Sequence, residues 1–534
     1  MADRTIVKKS LDEWLDDVDY EELLGGYVPS VFALTFMNFI KLVNGEEGES
    51  HKTPPVHLKM LDKVTEKDAT KIANLCFRGA AKTTLFFEYM ILFIAVYGYL
   101  PGLGDVTGMI YVSDSMENGV ASARKNIEFR YNSSEFLQKW LPKEGVKFTD
   151  KYLEFTNTDG HKLGCKMFGA KTGLRGTKIF GKRPVLAVLD DLVSDDDARS
   201  TTAMNSIKDT VYKGVNHALD PTRRKIIFNG TPFNKMDIMI EAVESGAWDV
   251  NVWPVCERFP CTEEEFVGAW EDRFTYAYIK EQYDDAVLLG KVAGFMQELM
   301  LRITSEEERL VQDAEIRWYS RTKLLQSKHQ YNFYITTDFA TSEAQAADYS
   351  VISVWAYNAQ GDWFWVDGMA KRQTIDLTFK DLFRYVQIYK PMEVGVEVTG
   401  QQQAYIKLLQ GMMMDMNIWF NFASSEKSRA PGIRPVTNKL SRFNLVVPWF
   451  KAGKVYWPEE MKLSEVMKMF MQQIAFATVS GLKGKDDCID TISMLGYLNA
   501  IRPSETEKIV SEDHDTMWDD PLPEEPSALA SYIV

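Results

Sequence analysis

Between residues 70 and 232 the chain alternates short apolar runs with longer helical ones. The runs ANLCF, GMIYVS, VLAVLDD and KIIFNGTP have the length of strands, and segments such as TTLFFEYMILFIAVYGY and the polar stretch 116–130 have the pattern of helices. Strands that alternate with helices are typical of a parallel, doubly wound sheet. This half of the chain is therefore predicted to be an α/β domain.

From residue 331 the pattern changes. Three strand-like runs follow one another closely, YNFYITTDFA, YSVISVWAYN and DWFWVDGMAK, and they predict an antiparallel meander. The predicted order continues with a helix (IDLTFKDLFRYVQIY), a strand (MEVGVEV), a helix (QQAYIKLLQGMMMDM), a hairpin-like pair (NLVVPWF and AGKVYWP) and two more helices. The change indicates a second α/β domain with a mixed sheet.

The length of the chain also favours two domains, since 534 residues exceed what one hydrophobic core usually organises. The helix VFALTFMNFIKLV is predicted to end at Asn44-Gly45. The tail carries nine acidic residues against Lys508 and is predicted to be disordered when free. The predicted segments are a helical N-terminal extension (1–50), a first domain (51–315), a linker (316–330), a second domain (331–502) and the acidic tail (503–534).

Composition narrows the class of protein. Hydrophobic residues make up 45% of the chain, and no apolar run reaches the ~18 residues that a membrane helix needs. The charged N-terminus does not match a secretory signal, and the five scattered cysteines predict reduced thiols rather than a zinc site. A soluble, intracellular protein is expected. The net charge of −15 disfavours DNA binding, but the acidic tail supplies about half of that excess.

A candidate phosphate-binding loop lies between the strand ANLCF and the apolar helix. Such a loop needs backbone N–H groups around the phosphates, a lysine that reaches the terminal oxygens and a hydroxyl that holds Mg²⁺. Cys76 and Ala81 stand where glycines are usual, so an ordinary strand–turn–helix is the alternative. The predicted nucleotide-binding residues of the loop are Arg78, Gly79, Ala80, Ala81, Lys82, Thr83 and Thr84, with Thr83 as the metal ligand.

Two further strands end in residues suited to ATP hydrolysis. VLAVLDD ends in Asp190, expected to bind Mg²⁺, and in Asp191, expected to orient the attacking water although it is one methylene shorter than the usual glutamate. An acidic loop is the alternative. KIIFNGTP ends in Gly230-Thr231-Pro232, where Thr231 would sense the γ-phosphate. Each signal lies at the carboxyl end of a strand, the edge at which α/β sheets bind ligands.

In these motifs the sequence resembles the large terminase family of tailed phages and herpesviruses. The run F-R-G-A-A-K-T-T is similar to the divergent Walker A motif of that family, Leu174-Arg175-Gly176 to its arginine–glycine step, and Gly230-Thr231-Pro232 to its coupling motif. The resemblance implies a P-loop ATPase of the ASCE, RecA-like type with a parallel sheet. It also implies that Arg175 acts on the nucleotide of a neighbouring subunit; a surface arginine or a DNA contact is the alternative. His57 stands where the family's adenine-side motif has a glutamine.

Acidic residues at strand and helix ends predict a nuclease site in the second domain. Cleavage of phosphodiesters with two metal ions needs three or four carboxylates around ions about 4 Å apart. Asp338 ends YITTD, Glu397 ends MEVGVE and Asp487 opens the late helix, and we expect these three to be catalytic and metal-binding. Asp486 and Asp490 are further metal-ligand candidates, although a helix-surface acid is the alternative for Asp490.

The terminase resemblance extends over this domain and implies an RNase H-like fold with two Mg²⁺ or Mn²⁺ ions. Asp348 has a counterpart in the family and is a candidate accessory ligand, with a solvated turn residue as the alternative. A basic concentration lies beside the acids and predicts contacts to DNA phosphates, with a solvated loop as the alternative. Neutralising its arginines is expected to weaken DNA binding and lower the salt dependence. The predicted DNA-binding residues are Arg429, Arg434, Lys439 and Arg442.

The resemblance implies a motor subunit that hydrolyses ATP to translocate double-stranded DNA into a preformed capsid and that cuts concatemeric DNA. The implied partners are DNA, a portal protein, a small terminase subunit and further copies of the chain in a ring, expected to be pentameric. The expected location is the host cytoplasm and, transiently, the procapsid, but not the finished virion. The alternatives are a stand-alone DNA endonuclease with an inactive P-loop and a non-enzymatic assembly scaffold. A helicase is disfavoured, because no helicase motif series follows Gly230-Thr231-Pro232.

Overall fold

The structure is a computed structural model, and its described residues fall into two units by their contacts. The first unit comprises Met1–Glu315 and Met461–Ile489, and the second comprises Ile316–Glu460 and Asp490–Val534. Among the described helices, none is both long and apolar enough to cross a membrane. The described ranges are 8–45, 50–304, 308–340, 349–398, 403–424, 430–434, 437–482 and 485–504.

The helices begin and end as follows. Before the second unit they are α1 (Leu11–Asp16), α2 (Tyr20–Gly26), α3 (Val31–Asn44), α4 (Pro55–Thr65), α5 (Met90–Tyr97), α6 (Ala121–Ser133), α7 (Glu135–Trp140), α8 (Asp195–Ala198), α9 (Thr201–Asp209), α10 (Asn216–Ala218), α11 (Ile238–Glu244), α12 (Tyr276–Leu288) and α13 (Val292–Glu298). From residue 316 onwards they are α14 (Arg321–Gln326), α15 (Ile375–Tyr389), α16 (Gln403–Met416), α17 (Lys439–Lys451), α18 (Glu465–Phe476) and α19 (Asp487–Ser493). Three π-helical segments are Thr84–Tyr89, Met116–Val120 and Thr210–Val215.

The strands alternate with these helices in the first half of the chain. They are β1 (Lys71–Cys76), β2 (Tyr99–Leu100), β3 (Gly104–Asp105), β4 (Gly108–Ser113), β5 (Val146–Phe148), β6 (Tyr152–Thr156), β7 (Lys162–Gly169), β8 (Leu186–Asp190), β9 (Lys225–Gly230) and β10 (Asp249–Trp253). The later strands are β11 (Arg317–Tyr319), β12 (Asn332–Asp338), β13 (Ser350–Tyr357), β14 (Trp363–Lys371), β15 (Glu393–Val396), β16 (Val455–Pro458), β17 (Ala477–Thr478) and β18 (Gly481–Leu482).

The first unit contains an eight-stranded sheet in the order β10-β1-β9-β8-β4-β7-β6-β5. The strands from β10 to β7 are parallel, and β6 and β5 extend the sheet in antiparallel fashion. The parallel strands are buried on both faces, as in β4, where every residue is buried, because helices cover both sides of such sheets. The predicted α/β fold with a parallel-dominated sheet is confirmed.

Three asparagines form a buried ladder across the parallel strands β9, β1 and β10. The side-chain amide of Asn74 donates to Asn229 Oδ1 (2.9 Å), and the amide of Asn251 donates to Asn74 Oδ1 (2.8 Å). The strand register places both partners directly opposite Asn74. Within the described residues, the amide nitrogen of Asn229 at the end of the ladder has no hydrogen-bond partner. The ladder links the strand before the phosphate-binding loop to both of its neighbours.

The second unit contains a six-stranded mixed sheet in the order β11-β16-β14-β13-β12-β15. The predicted meander is present, since β12, β13 and β14 pair as antiparallel neighbours, and β15 and β16 add to it in parallel. The amphipathic helix α15 buries Phe379, Leu382, Phe383 and Val386 at helical spacing against the sheet.

One element differs from its prediction. The run NLVVPWF, expected to be a strand of a hairpin, lies in helix α17, and only AGKVYWP supplies a strand, β16. The buried positions Phe443, Val446, Val447 and Phe450 recur at helical spacing. A short apolar run with two valines satisfies either period, and here packing selects the helix.

A turn in the first unit requires glycine for two reasons. Gly102 has φ +77°, and a β-carbon there would overlap the carbonyl oxygen of Thr65. We expect Gly102→Ala to destabilise the protein by ~3 kcal/mol, the sum of left-handed strain and overpacking. The matched control is Gly160→Ala, with φ +79° and open space around the position, which is expected to lose only ~1 kcal/mol. Urea unfolding midpoints measure the difference, and equal losses would contradict the steric account.

Candidate functional site

The phosphate-binding loop follows β1 and leads into the π-helical segment Thr84–Tyr89 and α5. Its backbone takes positive φ angles at Gly79 (+89°) and Ala81 (+55°). Ala81 therefore adopts the left-handed conformation that a glycine would take without strain, at a cost of about 1 kcal/mol. The loop keeps a curled backbone despite the missing glycines. Arg78 is exposed at its start, where its guanidinium pairs with Glu298 (2.8 Å).

Lys82 is buried at the end of this loop. Its ammonium donates to Thr231 Oγ1 (2.8 Å), and the Thr231 hydroxyl donates to the Cys76 carbonyl (2.7 Å). The backbone N–H of Thr231 donates to Asp191 Oδ1 (3.2 Å). The three motifs predicted from separate stretches of sequence are therefore joined by hydrogen bonds at the carboxyl edge of neighbouring strands.

Asp190 is the most constrained carboxylate at this edge. Its Oδ2 accepts from Thr83 Oγ1 (2.6 Å) and from the Tyr111 hydroxyl (3.0 Å). Its Oδ1 is buried without a hydrogen-bond partner in the described part of the chain. Burial, followed by the charge of Asp191, raises the pKa of Asp190 to about 7. A buried carboxylate oxygen beside a threonine hydroxyl and a lysine is a donor set that fits Mg²⁺ with a bound phosphate.

A cavity of about 540 Å³ opens over these residues, within the size range of small-molecule sites. Lys82, Thr83, Asp190, Asp191 and Thr231 all contribute to its lining. Arg175 is exposed between β7 and β8 and is not among the described residues that line the cavity. Its role toward a neighbouring subunit stays a prediction.

A second cavity of about 300 Å³ is lined by two other residues of this loop, Ala81 and Thr84. His57 and Trp270 line it too, with ring centroids 4.9 Å apart. His57 is buried at the start of α4, and its Nε2 lies 2.8 Å from the carbonyl oxygen of Ala80. Because a carbonyl only accepts, this nitrogen carries the proton. The residue of the predicted adenine-side motif thus supports the phosphate-binding loop directly.

Because His57 is buried, the protein is expected to become less stable in mild acid. Burial lowers the pKa of His57 to about 4, so the unfolded chain takes up its proton first as the pH falls. Above the ordinary histidine pKa of ~6.5, His57 is neutral in both states and costs the folded protein nothing. As the pH falls from ~6.5 toward 4, the free energy of unfolding decreases by ~3 kcal/mol at most. The unfolding temperature is expected to fall less steeply with decreasing pH across this range in His57→Gln than in the wild type. Parallel slopes for both proteins would contradict it.

Two residues that line the first cavity were missed in the sequence. Tyr111, in β4, binds Asp190 and stacks on Phe87 with centroids 3.6 Å apart. Glu88 is buried on the π-helical segment and pairs with Arg130 (2.9 Å). Glu88 had a signal, since a single charge in an otherwise apolar helix must find a partner; Tyr111 sits in a strand whose pattern gives no such sign.

In the second unit, Asp338 and Glu397 lie at the ends of adjacent parallel strands. Asp338 is the last residue of β12, and Glu397 directly follows β15. The register pairs Thr337 with Val396, so the next residue on each strand reaches the same edge of the sheet. The sequence correctly placed both acids at strand ends. Asp487 and Asp490 are buried in α19, and Asp486, which directly precedes this helix, is half-buried. Asp490 belongs to the second unit, and Asp486 and Asp487 belong to the first.

Arg442 corrects one of the predicted DNA contacts. Instead of facing solvent it is buried on α17, where its guanidinium donates to Glu397 Oε2 (2.7 Å) and to Asp490 Oδ1 (3.0 Å). Lys439 Nζ pairs with Asp490 Oδ2 (2.8 Å). Carboxylates gathered in a protein interior need a counter-charge, and these cations supply it. Arg442 is therefore buried, and not exposed as predicted, because it neutralises the acidic residues of this site.

The remaining predicted residues of this region divide into two groups. Arg434 is half-buried, and one terminal nitrogen of its guanidinium has no hydrogen-bond partner in the described part of the chain. Arg429 and Asp348 lie outside the described residues. Across the ranges that the structure describes, no three acidic, histidine or cysteine side chains are grouped closely enough to hold a metal ion. With Arg442 bound to Glu397, the arrangement does not fit a metal centre.

Comparison with known proteins identifies the second domain. Residues 335–496 match the family model Terminase_6C, the terminase RNaseH-like domain. The search of curated proteins finds no similar sequence. Among solved structures, the HK97 bacteriophage large terminase is 14% identical, over 87% of this chain and 98% of that chain, with a TM-score of 0.34.

Two solved terminase nuclease domains are similar over about a third of this chain. The human cytomegalovirus terminase nuclease domain, Mn soaked and inhibitor bound, is 15% identical over 35% of this chain and 94% of that chain, with a TM-score of 0.28. The large terminase nuclease from thermophilic phage G20c with bound magnesium is 16% identical over 31% and 80%, with a TM-score of 0.22. Residues 335–496 match the terminase RNase H-like domain, and a parallel-dominated α/β sheet precedes them in the chain, which confirms the predicted fold class.

Proposed function

We propose that the chain is a genome-packaging motor subunit that hydrolyses ATP to translocate double-stranded DNA and that also cuts DNA. The observation that carries the ATPase half is Asp190, which lines a cavity with Lys82 and Thr83 and whose buried Oδ1 has no hydrogen-bond partner among the described residues. We place this activity in residues 51–315 and the nuclease in 331–502.

In the proposed ATPase, Lys82 contacts the terminal phosphate oxygens and offsets their charge. Thr83 and Asp190 would hold Mg²⁺, which neutralises charge on the β- and γ-phosphates when bound. Asp191 orients the attacking water and accepts its proton. Thr231 contacts both Lys82 and Asp191, so it is positioned to respond when the γ-phosphate leaves. Arg175 acts on the nucleotide of the next subunit in a ring.

For the nuclease, Asp338 and Glu397 supply carboxylates at one sheet edge, and Asp487 supplies another from α19. These oxygen ligands suit divalent cations such as Mg²⁺ or Mn²⁺. The site must first change, because Arg442 binds Glu397 in the present arrangement. The G20c nuclease has been solved with bound magnesium, the ion proposed for this site.

The proposed partners follow from the motor. They are double-stranded DNA, a portal protein, a small terminase subunit and further copies of the chain in a ring, expected to be pentameric, which acts in the host cytoplasm and transiently on the procapsid. One similar solved structure is itself a motor, the Phi-28 gp11 DNA packaging motor, which is 7% identical over 78% of this chain and 96% of that chain, with a TM-score of 0.25.

Steady-state ATP hydrolysis by the purified full chain, with and without linear double-stranded DNA, tests the motor. Stimulation by DNA is expected, because translocation couples the two. Plasmid nicking without any ATPase would instead support a stand-alone endonuclease with an inactive P-loop. A protein with neither activity would support the assembly scaffold.

A further inference from the structure

A buried cation lies among the acids of the nuclease site. Arg442 sits in the first turn of α17, with only 5% of its side chain exposed, and it joins Glu397 from the end of β15 to Asp490 from α19. Glu397 and Asp490 are 13% and 3% exposed at their side chains. All three residues belong to the second unit.

The two carboxylates are held unequally. Both oxygens of Asp490 have a cationic partner, Arg442 on Oδ1 and Lys439 on Oδ2. Glu397 has the guanidinium on Oε2, and it lies at the same sheet edge as Asp338. A carboxylate bound on both oxygens by cations is poorly placed to accept a metal ion. Among the described residues, Glu397 has one cationic partner to release, Arg442.

The guanidinium itself is incompletely satisfied. Its Nε–H is buried and has no hydrogen-bond partner in the parts of the chain that the structure describes. A buried donor without a partner costs ~1–3 kcal/mol, so this contact is not the most favourable one open to an arginine. Without the guanidinium, placing the two carboxylates close together would cost more free energy, because like charges in a poorly solvated place repel strongly.

We propose that Arg442 is a positioning residue that binds Glu397 where a metal cation would otherwise bind, and that Asp490 anchors this arginine rather than binding metal. This rests on the proposed nuclease function. Divalent ions must then compete with Arg442 for Glu397. Asp490 retains the arginine when Glu397 is released, so the charge stays beside the site.

Isothermal titration of the full chain with MnCl₂, without nucleotide, tests the competition. Asp338→Asn defines the signal, since binding that is lost in this variant belongs to the nuclease site. We expect Arg442→Gln to bind Mn²⁺ at least fivefold more tightly than the wild type and to unfold at a lower temperature in EDTA. Weaker or unchanged binding would overturn the competition.

A matched control separates competition from the general loss of a buried ion pair. Arg321 pairs with Asp367 (2.9 Å) in the same unit, away from the acids. Arg321→Gln is expected to lower the unfolding temperature and leave Mn²⁺ binding unchanged. If Arg442→Gln does not fold, Arg442→Lys, which keeps the charge but cannot bridge both acids as a fork, is expected to bind Mn²⁺ more tightly than the wild type; binding no tighter would overturn the proposal.

The anchoring role of Asp490 is tested in the background that lacks the arginine. Adding Asp490→Asn to Arg442→Gln is expected to leave the Mn²⁺ dissociation constant within twofold, because Asp490 then has no arginine left to anchor. A tenfold loss would make Asp490 a metal ligand and overturn this half. If neither the wild type nor Arg442→Gln shows Asp338-dependent binding, the metal-dependent nuclease fails first, and the inference fails with it.

Discussion

Replacing Lys82 with alanine is expected to lower ATP hydrolysis by ~100–1,000-fold or more, the loss seen when a charge-stabilising group is removed from a transition state. Lys82 is the buried ammonium of the cavity and the contact between the phosphate-binding loop and Thr231. Its removal takes away the charge that would face the terminal phosphate, and a coupled-enzyme assay with DNA present measures the loss.

The strand that leads into the phosphate-binding loop provides the control. Lys71 begins β1 at the opposite end, so Lys71→Ala removes an equal charge far from the cavity and should change hydrolysis by less than about twofold. Circular dichroism checks that both variants fold. Hydrolysis by Lys82→Ala at the wild-type rate would show that another site hydrolyses ATP and would leave the endonuclease alternative in force.

Replacing Asp338 with asparagine is expected to reduce plasmid nicking in Mn²⁺ by ~1,000-fold or more, because a carboxylate at the shared strand edge is lost while its shape is kept. DNA-stimulated ATP hydrolysis should stay within about twofold of the wild type, since Asp338 belongs to the other unit. Gel analysis of nicked circles measures the first effect.

Asp376→Asn is the matched substitution, in the exposed first turn of α15 of the same unit. It should leave nicking unchanged. Equal nicking by Asp338→Asn and Asp376→Asn would falsify the assignment of the catalytic edge. Loss of both activities in Asp338→Asn would instead point to a folding defect.

The positions of the site residues along the strands could be predicted, but their partners could not. Asp190 and Asp338 end strands in the structure, and Thr231 directly follows one, as the apolar runs predicted. In contrast, the sequence shows Arg442 only as one cation in a basic stretch. Its acidic partners lie 45 and 48 residues away, and only the packed sheet and helices bring them to it.

The sequence pattern also could not predict the backbone conformation of the phosphate-binding loop or the periodicity of one apolar run. Ala81 fails a motif search for glycine, yet its φ of +55° gives the loop the turn that glycine usually supplies. Such strain is tolerated where surrounding structure holds the backbone, and His57 holds the neighbouring Ala80 carbonyl. For NLVVPWF, the sequence allowed two periods, and tertiary packing chose between them.

The asparagine ladder has a consequence for how the chain finds its fold. Parallel strands with continuous apolar faces can exchange neighbours or slide past one another at little hydrophobic cost. In β1, β9 and β10 a slide of one residue would separate Asn74 from Asn229 and Asn251 and leave buried amides unpaired, at ~1–3 kcal/mol each. The ladder therefore discriminates against mispaired sheets. It selects the single alignment in which the loop that carries Lys82 and the turn that carries Thr231 arrive at the same height.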